Sequence, residues 1–301
     1  MAAVLELKGL GRDYGTRAAV KALDLTIEKG EIFGLLGPNG AGKTTSISMA
    51  CGVVAPSRGS VRVAGHDLAT DGTAARRAIG LVPQELAIYE DLTPRQNLTY
   101  FGELYGAGAA AVDKALGIAE LRDRADDLVK DLSGGMKRRL NLAAGLVHTP
   151  ALLVCDEPTV GVDPQSRRHI FDSIKKLRHE GMTILYTTHY MEEVEVLCDR
   201  IAIMDAGEVI ACGTLAELQA RHASTGVELE LEGDDATLDA AARAAGVTRD
   251  GAVLRLDMRP EWTSVISAIE ATGARITEMR SRSANLETLF LALTGRSLRD
   301  A

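Results

Sequence analysis

The chain has 301 residues, with 34 Lys and Arg against 42 Asp and Glu, a net charge of −8. That length supports a full core and two domains, and the acidic balance argues against nucleic acid or an anionic membrane surface as partner. Four cysteines (Cys51, Cys155, Cys198, Cys212) form no C-x-x-C pair, which implies neither a disulfide framework nor a zinc site and fits a reducing cytosol. No run reaches the ~18 apolar residues that cross a bilayer. The opening MAAVLELKGLGRDYG lacks the charged start and apolar core of a signal peptide. A membrane role therefore requires a partner.

In chain order, the pattern alternates up to about Tyr14 and again over Val20 to Ile27, which predicts strands at a sheet edge or hairpin. The apolar run Ile32 to Leu36 follows, then a Gly-rich loop opening a helix. Strands are expected at Ser60 to Val63 and Ile79 to Val82. Between about Tyr89 and Asp131 the sequence turns polar and helical, with Leu98, Phe101 and Leu104 at helical spacing, as in an inserted lobe. Leu152 to Cys155 and Thr183 to Thr187 read as buried strands. Between them lies a helix over Gln165 to His179, with Ile170, Ile174 and Leu177 on one face and Gly181 just past its end. Alternating strands and helices predict a largely parallel sheet.

After the segment Thr214 to His222, Ala223-Ser224-Thr225-Gly226 reads as a linker between a first domain, residues 1–222, and a second, residues 227–301. The second has its own order. A strand at Val227 to Leu231 leads to a helix at Leu238 to Ala245, then a hairpin over Val247 to Leu256 turning at Asp250-Gly251. Glu261 to Thr272 is helical, Arg275 to Met279 extended and Leu286 to Leu293 helical. The βαββαβ order resembles a ferredoxin-like domain with one extra helix.

The nine residues Gly37, Pro38, Asn39, Gly40, Ala41, Gly42, Lys43, Thr44 and Thr45 fit the phosphate loop Gly-x-x-x-x-Gly-Lys-Ser/Thr in its required place, between a buried strand and a helix N-terminus. The glycines let the backbone turn several N–H groups toward phosphate oxygens, and the helix dipole adds positive potential. Lys43 can reach the β- and γ-phosphates, and the Thr44 hydroxyl is placed to ligate magnesium. Downstream, ALLVCDE ends an apolar strand in two carboxylates. Pleating would send the two side chains to opposite sides, with Asp156 holding magnesium and Glu157 orienting or deprotonating the attacking water. Cys155 beside them reads as a core residue.

LSGGMKRRL, residues 132–140, supplies a second helix N-terminus. Ser133 caps it, Gly134 and Gly135 permit close backbone approach, and Met136, Leu140, Ala143 and Val147 form its apolar face. The KRR triplet reads as a solvated helix face. LSGG before a D-E strand, with GPNGAGKTT upstream, resembles the ATP-binding-cassette (ABC) ATPases over residues 4–222. The fold implied is an α/β P-loop NTPase cassette with a mainly parallel sheet, an antiparallel β subdomain and a helical lobe at about 89–150, joined to a small α+β domain.

The resemblance implies ATP and Mg2+ as ligands and a role for each matching residue. Ser133, Gly134 and Gly135 would bind the γ-phosphate held by an opposite cassette, so that ATP joins two chains head to tail. Gln84 matches the Q-loop glutamine, which senses magnesium and the membrane partner. His189 matches the switch histidine, Tyr14 the aromatic that stacks on adenine, and Asp163 the D-loop aspartate. Asp163-Pro164 is equally a helix cap and first-turn pair. Met136 stands where Gln is frequent. The loop Val160-Gly161-Val162-Asp163 and the tail Asn285 to Arg296 resemble exporter ATPases of the daunorubicin-resistance type.

The partners implied are a second copy or a homologous ABC ATPase and separate transmembrane permease subunits docked near Gln84 to Phe101. The expected location is cytoplasmic, on the inner face of the cell membrane. An importer's ATPase would share the active site. A soluble ABC ATPase of translation or repair would instead show tandem cassettes, heptads or C-x-x-C pairs. The stripe Leu286, Leu289, Phe290, Leu293 reads as core of the small domain, with a dimer contact as the alternative.

Overall fold

A computed structural model of the chain describes residues 2–222, 226–257, 262–282 and 286–294. The linker residues Ala223, Ser224 and Thr225, with Asn285, Gly295 and Arg296 of the exporter-like tail, lie outside the described residues. The chain divides into two compact units between Leu215 and Ala216.

The first unit opens with β1 (Ala3–Tyr14) and β2 (Arg17–Glu28), antiparallel and joined by a two-residue turn at Gly15-Thr16. Gly15 has φ 60°, the conformation such hairpin turns demand. β3 (Ile32–Leu36) leads through the phosphate loop into α1 (Lys43–Ala50). β4 (Arg58–Val63), β5 (His66–Asp67), α2 (Gly72–Arg77) and β6 (Ile79–Val82) follow. The lobe comprises α3 (Pro94–Glu103), α4 (Ala109–Ile118), two 3-10 turns and α5 (Gly134–Leu146). Thr93 starts α3 with a full capping box to Gln96 and a proline in the first turn. Leu104 falls just past that helix and is exposed, so the apolar spacing expected there stops at Phe101.

β7 (Leu152–Asp156), α6 (Pro164–His179), β8 (Thr183–Thr188) and α7 (Met191–Leu197) return the chain to the main sheet. β9 (Arg200–Asp205) and β10 (Glu208–Gly213), which the sequence pattern does not single out, close it. The main sheet has the order β10-β9-β3-β8-β7-β6, parallel except for the edge strand β10. Every residue of β3, β7 and β8 is buried, as expected of parallel strands covered on both faces. A second, antiparallel sheet β2-β1-β4-β5 packs its inward Leu5, Leu7, Leu10, Leu23 and Ile27 on the α1 side of the main sheet. The lobe has its own core around Leu98, Leu116, Leu121 and Leu140. α5 is apolar on two sides, since Leu142 and Leu146 face the α6 core instead.

The second unit runs α8 (Leu215–His222), β11 (Gly226–Glu232), α9 (Asp235–Ala245), β12 (Arg249–Asp250), β13 (Val253–Asp257), α10 (Trp262–Glu270), β14 (Arg275–Arg282) and α11 (Leu286–Thr294). Its sheet order is β12-β13-β11-β14, antiparallel throughout. That is the split-βαβ arrangement of a ferredoxin-like domain. Val227, Leu229 and Leu231 point into its core while Glu228, Glu230 and Glu232 point away, so period-two alternation sets which face is buried. Leu286, Leu289 and Phe290 of the terminal stripe are fully buried.

A phosphate-loop cleft between two sheets

The phosphate loop follows β3 at the carboxyl edge of the main sheet, where open α/β sheets place their ligands. Its glycines are needed individually. A Cβ at position 37 would meet the Met204 carbonyl oxygen at 2.3 Å, and one at 42 the Ala19 carbonyl oxygen at 2.7 Å. Gly40 and Gly42 also take φ 81° and 105°, which curls the backbone before α1. The cleft so formed, of about 440 Å³, is lined by Tyr14, Arg17, Asn39, Gly40, Gly42, Lys43, Thr44, Thr45, Gln84 and Glu157. Residues more than 140 positions apart thus meet in one cleft. Pro38 and Ala41 complete the loop, Pro38 through a backbone bond from the Ala41 amide.

Lys43 is almost fully buried and donates to the Gly37 and Pro38 carbonyls at 2.6 and 3.1 Å. Its ammonium lies 3.3 Å from Glu157 Oε1. Burial pushes the Lys43 pKa down, opposed by the Glu157 and Asp156 charges. Asp156, also buried, is pushed up by desolvation and held back by the hydroxyls of Thr187 and Thr44. The Thr187 hydroxyl donates to Asp156 Oδ1 at 2.7 Å, a contact made by the parallel register that sets these two residues side by side.

Pleating does not separate the two carboxylates as the strand pattern predicts. β7 ends at Asp156, and Glu157 takes φ 47°, a left-handed conformation that costs a non-glycine residue about 1–3 kcal/mol. The turn points Glu157 back at Lys43, so both carboxylates act on the same cation. Glu157 Oε2 is 3.1 Å from His189 Nδ1. This contact engages the Nδ1 side of the ring and leaves Nε2 available for a further contact. A buried carboxylate between a lysine and a histidine is held in one orientation.

Tyr14 is half exposed, with the Arg12 guanidinium 4.7 Å above its ring. Gln84 sits on the cleft wall and its carbonyl accepts from Arg138 of α5. The KRR triplet is therefore not a solvated face. Lys137 pairs with Glu90 at 2.6 Å and Arg139 with Glu120 at 2.8 Å. Arg138 reaches the Gln84 carbonyl and, at 3.1 Å, that of Val160. One turn on, Asn141 donates to Pro83 O and accepts from Ala87 N. α5 thereby grips the Gln84 loop by two side chains that sequence spacing alone does not reveal.

The remaining candidates lie apart from the cleft. Ser133 accepts from Met136 N at 3.3 Å as cap of α5 and is exposed, as is Gly134. Gly135 is buried for a different reason than expected: a Cβ there would meet Ser166 Oγ at 1.9 Å, so it admits α6 against α5. Asp163 caps α6 through Gln165 N and Ser166 N, both at 3.0 Å. Its pKa is lowered, first by the Ser166 side chain. None of these four lines the cleft. Arg17, Thr187 and Glu193, which no motif singles out, do belong to the site or its support. Their contacts depend on strand pairing and leave no spacing signal.

A family model described as ABC transporter matches residues 20–160. The chain is 42 % identical to the linearmycin resistance ATP-binding protein LnrL of Bacillus subtilis (strain 168), over 99 % of this chain and 100 % of that protein. It is 40 % identical to Nod factor export ATP-binding protein I of Cupriavidus metallidurans, over 100 % of both. Identity to the daunorubicin/doxorubicin resistance ATP-binding protein DrrA of Streptomyces peucetius is 37 %, over 98 % and 94 %. A solved ATP-binding subunit of an ABC transporter superposes with TM-score 0.67 at 29 % identity, covering 72 % of this chain and 92 % of that one. A dimeric cassette in a post-hydrolysis state bound to ADP and Pi gives 0.63 at 26 %, over 70 % and 98 %. Identity at this level along the whole chain, on a cleft built in this way, means that the chain belongs to the ABC transporter family and is one of its ATPase subunits.

Proposed function

We propose that the chain powers an exporter. Two copies close head to tail on ATP, and their closure and hydrolysis drive a separate permease. The observation that carries the hydrolytic part is Glu157 held between Lys43 and His189 on the wall of the phosphate-loop cleft. The export direction is supported by the relatives, named for drug resistance and for Nod factor export.

The geometry supports a role for each residue. Residues 37 to 45 cradle the phosphates, and Tyr14 offers a ring face to the adenine. Thr44, Asp156 and Gln84 present hydroxyl, carboxylate and amide oxygens, hard donors suited to magnesium. Among the described residues no cluster of three or more His, Cys, Asp or Glu could enclose a metal alone. Held by that hydroxyl, carboxylate and amide, a magnesium ion would complete its shell with further oxygen ligands. Magnesium supplies neutralisation of phosphate charge when bound. Glu157 takes a proton from the attacking water, and His189 keeps that carboxylate oriented while presenting Nε2 toward the γ-phosphate. Ser133 and Gly134, exposed and outside their own cleft, together with the backbone of Gly135, serve the second copy's ATP, and Asp163, close to Gly135, acts with them.

No described helix is long and apolar enough to cross a membrane. The permease-docking surface is the Gln84 loop and lobe, where exposed Tyr89 and Tyr100 stack edge to face at 5.2 Å beside Phe101. The working location is the cytoplasmic face of the membrane. The test is affinity capture of the Glu157→Gln chain from its own cells in mild detergent with ATP and magnesium. A multi-spanning protein retained with ATP and lost without it is the expected result. Ribosomes or DNA-repair proteins without a permease would overturn the reading.

A further inference from the structure

Glu193 is the most buried carboxylate near the cleft and has no place in the motifs above. It sits on α7 with 1 % of its surface exposed. Its two oxygens serve different parts of the molecule. Oε1 accepts from the Thr159 hydroxyl at 2.6 Å and lies 3.5 Å from Arg167 Nε. Both partners belong to the loop after β7 or the first turn of α6. Oε2 accepts from the Tyr186 and Thr188 hydroxyls of β8 at 2.9 and 2.7 Å. Thr188 also accepts from the Tyr190 amide at 2.9 Å, closing a turn around His189. The Tyr190 ring packs 4.1 Å from the His189 ring and lies under the Arg167 guanidinium at 5.0 Å.

Stability is a poor reason for this charge. Desolvating a carboxylate costs several kcal/mol, and apolar side chains of similar volume are often neutral or better. What a fully bonded carboxylate does provide is one geometry between the groups it joins. Here those groups are the histidine that touches Glu157 and the Thr159–Asp163 loop that leads to the second copy's site.

We propose that Glu193 is a positioning residue that locks His189 to the Thr159–Asp163 loop, so that the setting of the base pair in one site depends on the loop that meets the other. The inference rests on the hydrolytic reading of Glu157 and His189. It turns on the hydroxyl of Thr159, which bonds Glu193 directly to that loop, whereas Arg167 belongs to α6.

The test is steady-state ATP hydrolysis by the full chain carrying Thr159→Val or Glu193→Gln. Leu177→Ala, a core truncation at the far end of α6, is the control for lost stability. Thr159→Val keeps shape and is expected to fold. It should lower kcat by ~10-fold or more, with KM for ATP changed by less than about twofold, because sub-ångström misplacement of a base affects the chemical step and not nucleotide binding. Glu193→Gln, unable to accept three hydroxyls, should lose at least as much. Leu177→Ala should lower Tm and keep its kcat well below that Tm. Wild-type kcat in Thr159→Val, or a loss of kcat that merely tracks Tm across the three variants, would overturn the inference alone. A wild-type chain without hydrolysis, together with a Glu157→Gln chain without ATP-driven association, would overturn the hydrolytic reading and this inference together.

Discussion

His189 Nδ1 and Glu157 Oε2 are 3.1 Å apart, while Lys43 holds the other oxygen of the same carboxylate at 3.3 Å. One carboxylate is thus fixed by two cationic or donor groups on opposite sides, and the three side chains act as a unit. Replacing Glu157 with Gln keeps the shape and removes the basicity. Phosphate release should fall by ~10²–10⁴-fold, the usual worth of a positioned general base. ATP binding should persist, and light scattering should show an ATP-dependent dimer. Wild-type turnover in this variant would remove Glu157 from its role.

Asp156 is buried, and desolvation raises its pKa above that of the unfolded chain. The folded state then holds the proton more tightly, so stability is fully present below the ordinary carboxylate range and declines as pH rises through the raised pKa. Asp156→Asn removes the charge while keeping an acceptor for Thr187. Its nucleotide-free Tm at neutral pH should rise, by ~2 °C or more, while magnesium-dependent hydrolysis is lost. A lower Tm at neutral pH would contradict this balance.

Adjacent glycines at the start of α5 should respond differently. Gly135→Ala forces a Cβ onto Ser166 and should cost about 1–3 kcal/mol of stability. Adding Ser166→Gly should restore most of it. A Cβ on Gly134 would meet nothing within 4 Å, so Gly134→Ala should leave Tm unchanged and weaken only ATP-driven association. Equal Tm losses in thermal melts of the two single variants would refute the distinction.

Arg138 ties α5 to the carbonyls of Gln84 and Val160. Arg138→Ala should speed amide hydrogen exchange in both loops and slow hydrolysis, with the lobe core unaffected. Exchange unchanged at 83–87 and 159–162 would show that Asn141 and the backbone suffice.

Tyr14 presents one ring face to the cleft, the other being covered by Arg12. Tyr14→Ala should raise the Kd for ATP about tenfold, as expected for loss of one base stack, and Tyr14→Phe should not. Titration with a fluorescent nucleotide separates the two, and equal affinities would exclude stacking.

The features legible in the residues alone are those that short-range chemistry controls. The phosphate loop, the D-E strand and the α6 cap are each specified within a few neighbouring residues, by backbone freedom, pleat period and side-chain capping. The βαββαβ order of the second unit is legible for the same reason, since apolar period and turn residues are local signals. Tertiary structure alone decided that Glu157 leaves the strand with positive φ and joins Asp156 on the Lys43 side. It also decided that Arg138 reaches 54 positions back to Gln84, that Thr187 meets Asp156 across 31 positions, and that Glu193 reaches Thr159 across 34. Each of those contacts depends on which strands pair and in what register, and on how two helices approach through Gly135. A carboxylate whose partners come from three elements carries no spacing of its own, because burial and bonding assign its role only after the sheet has formed.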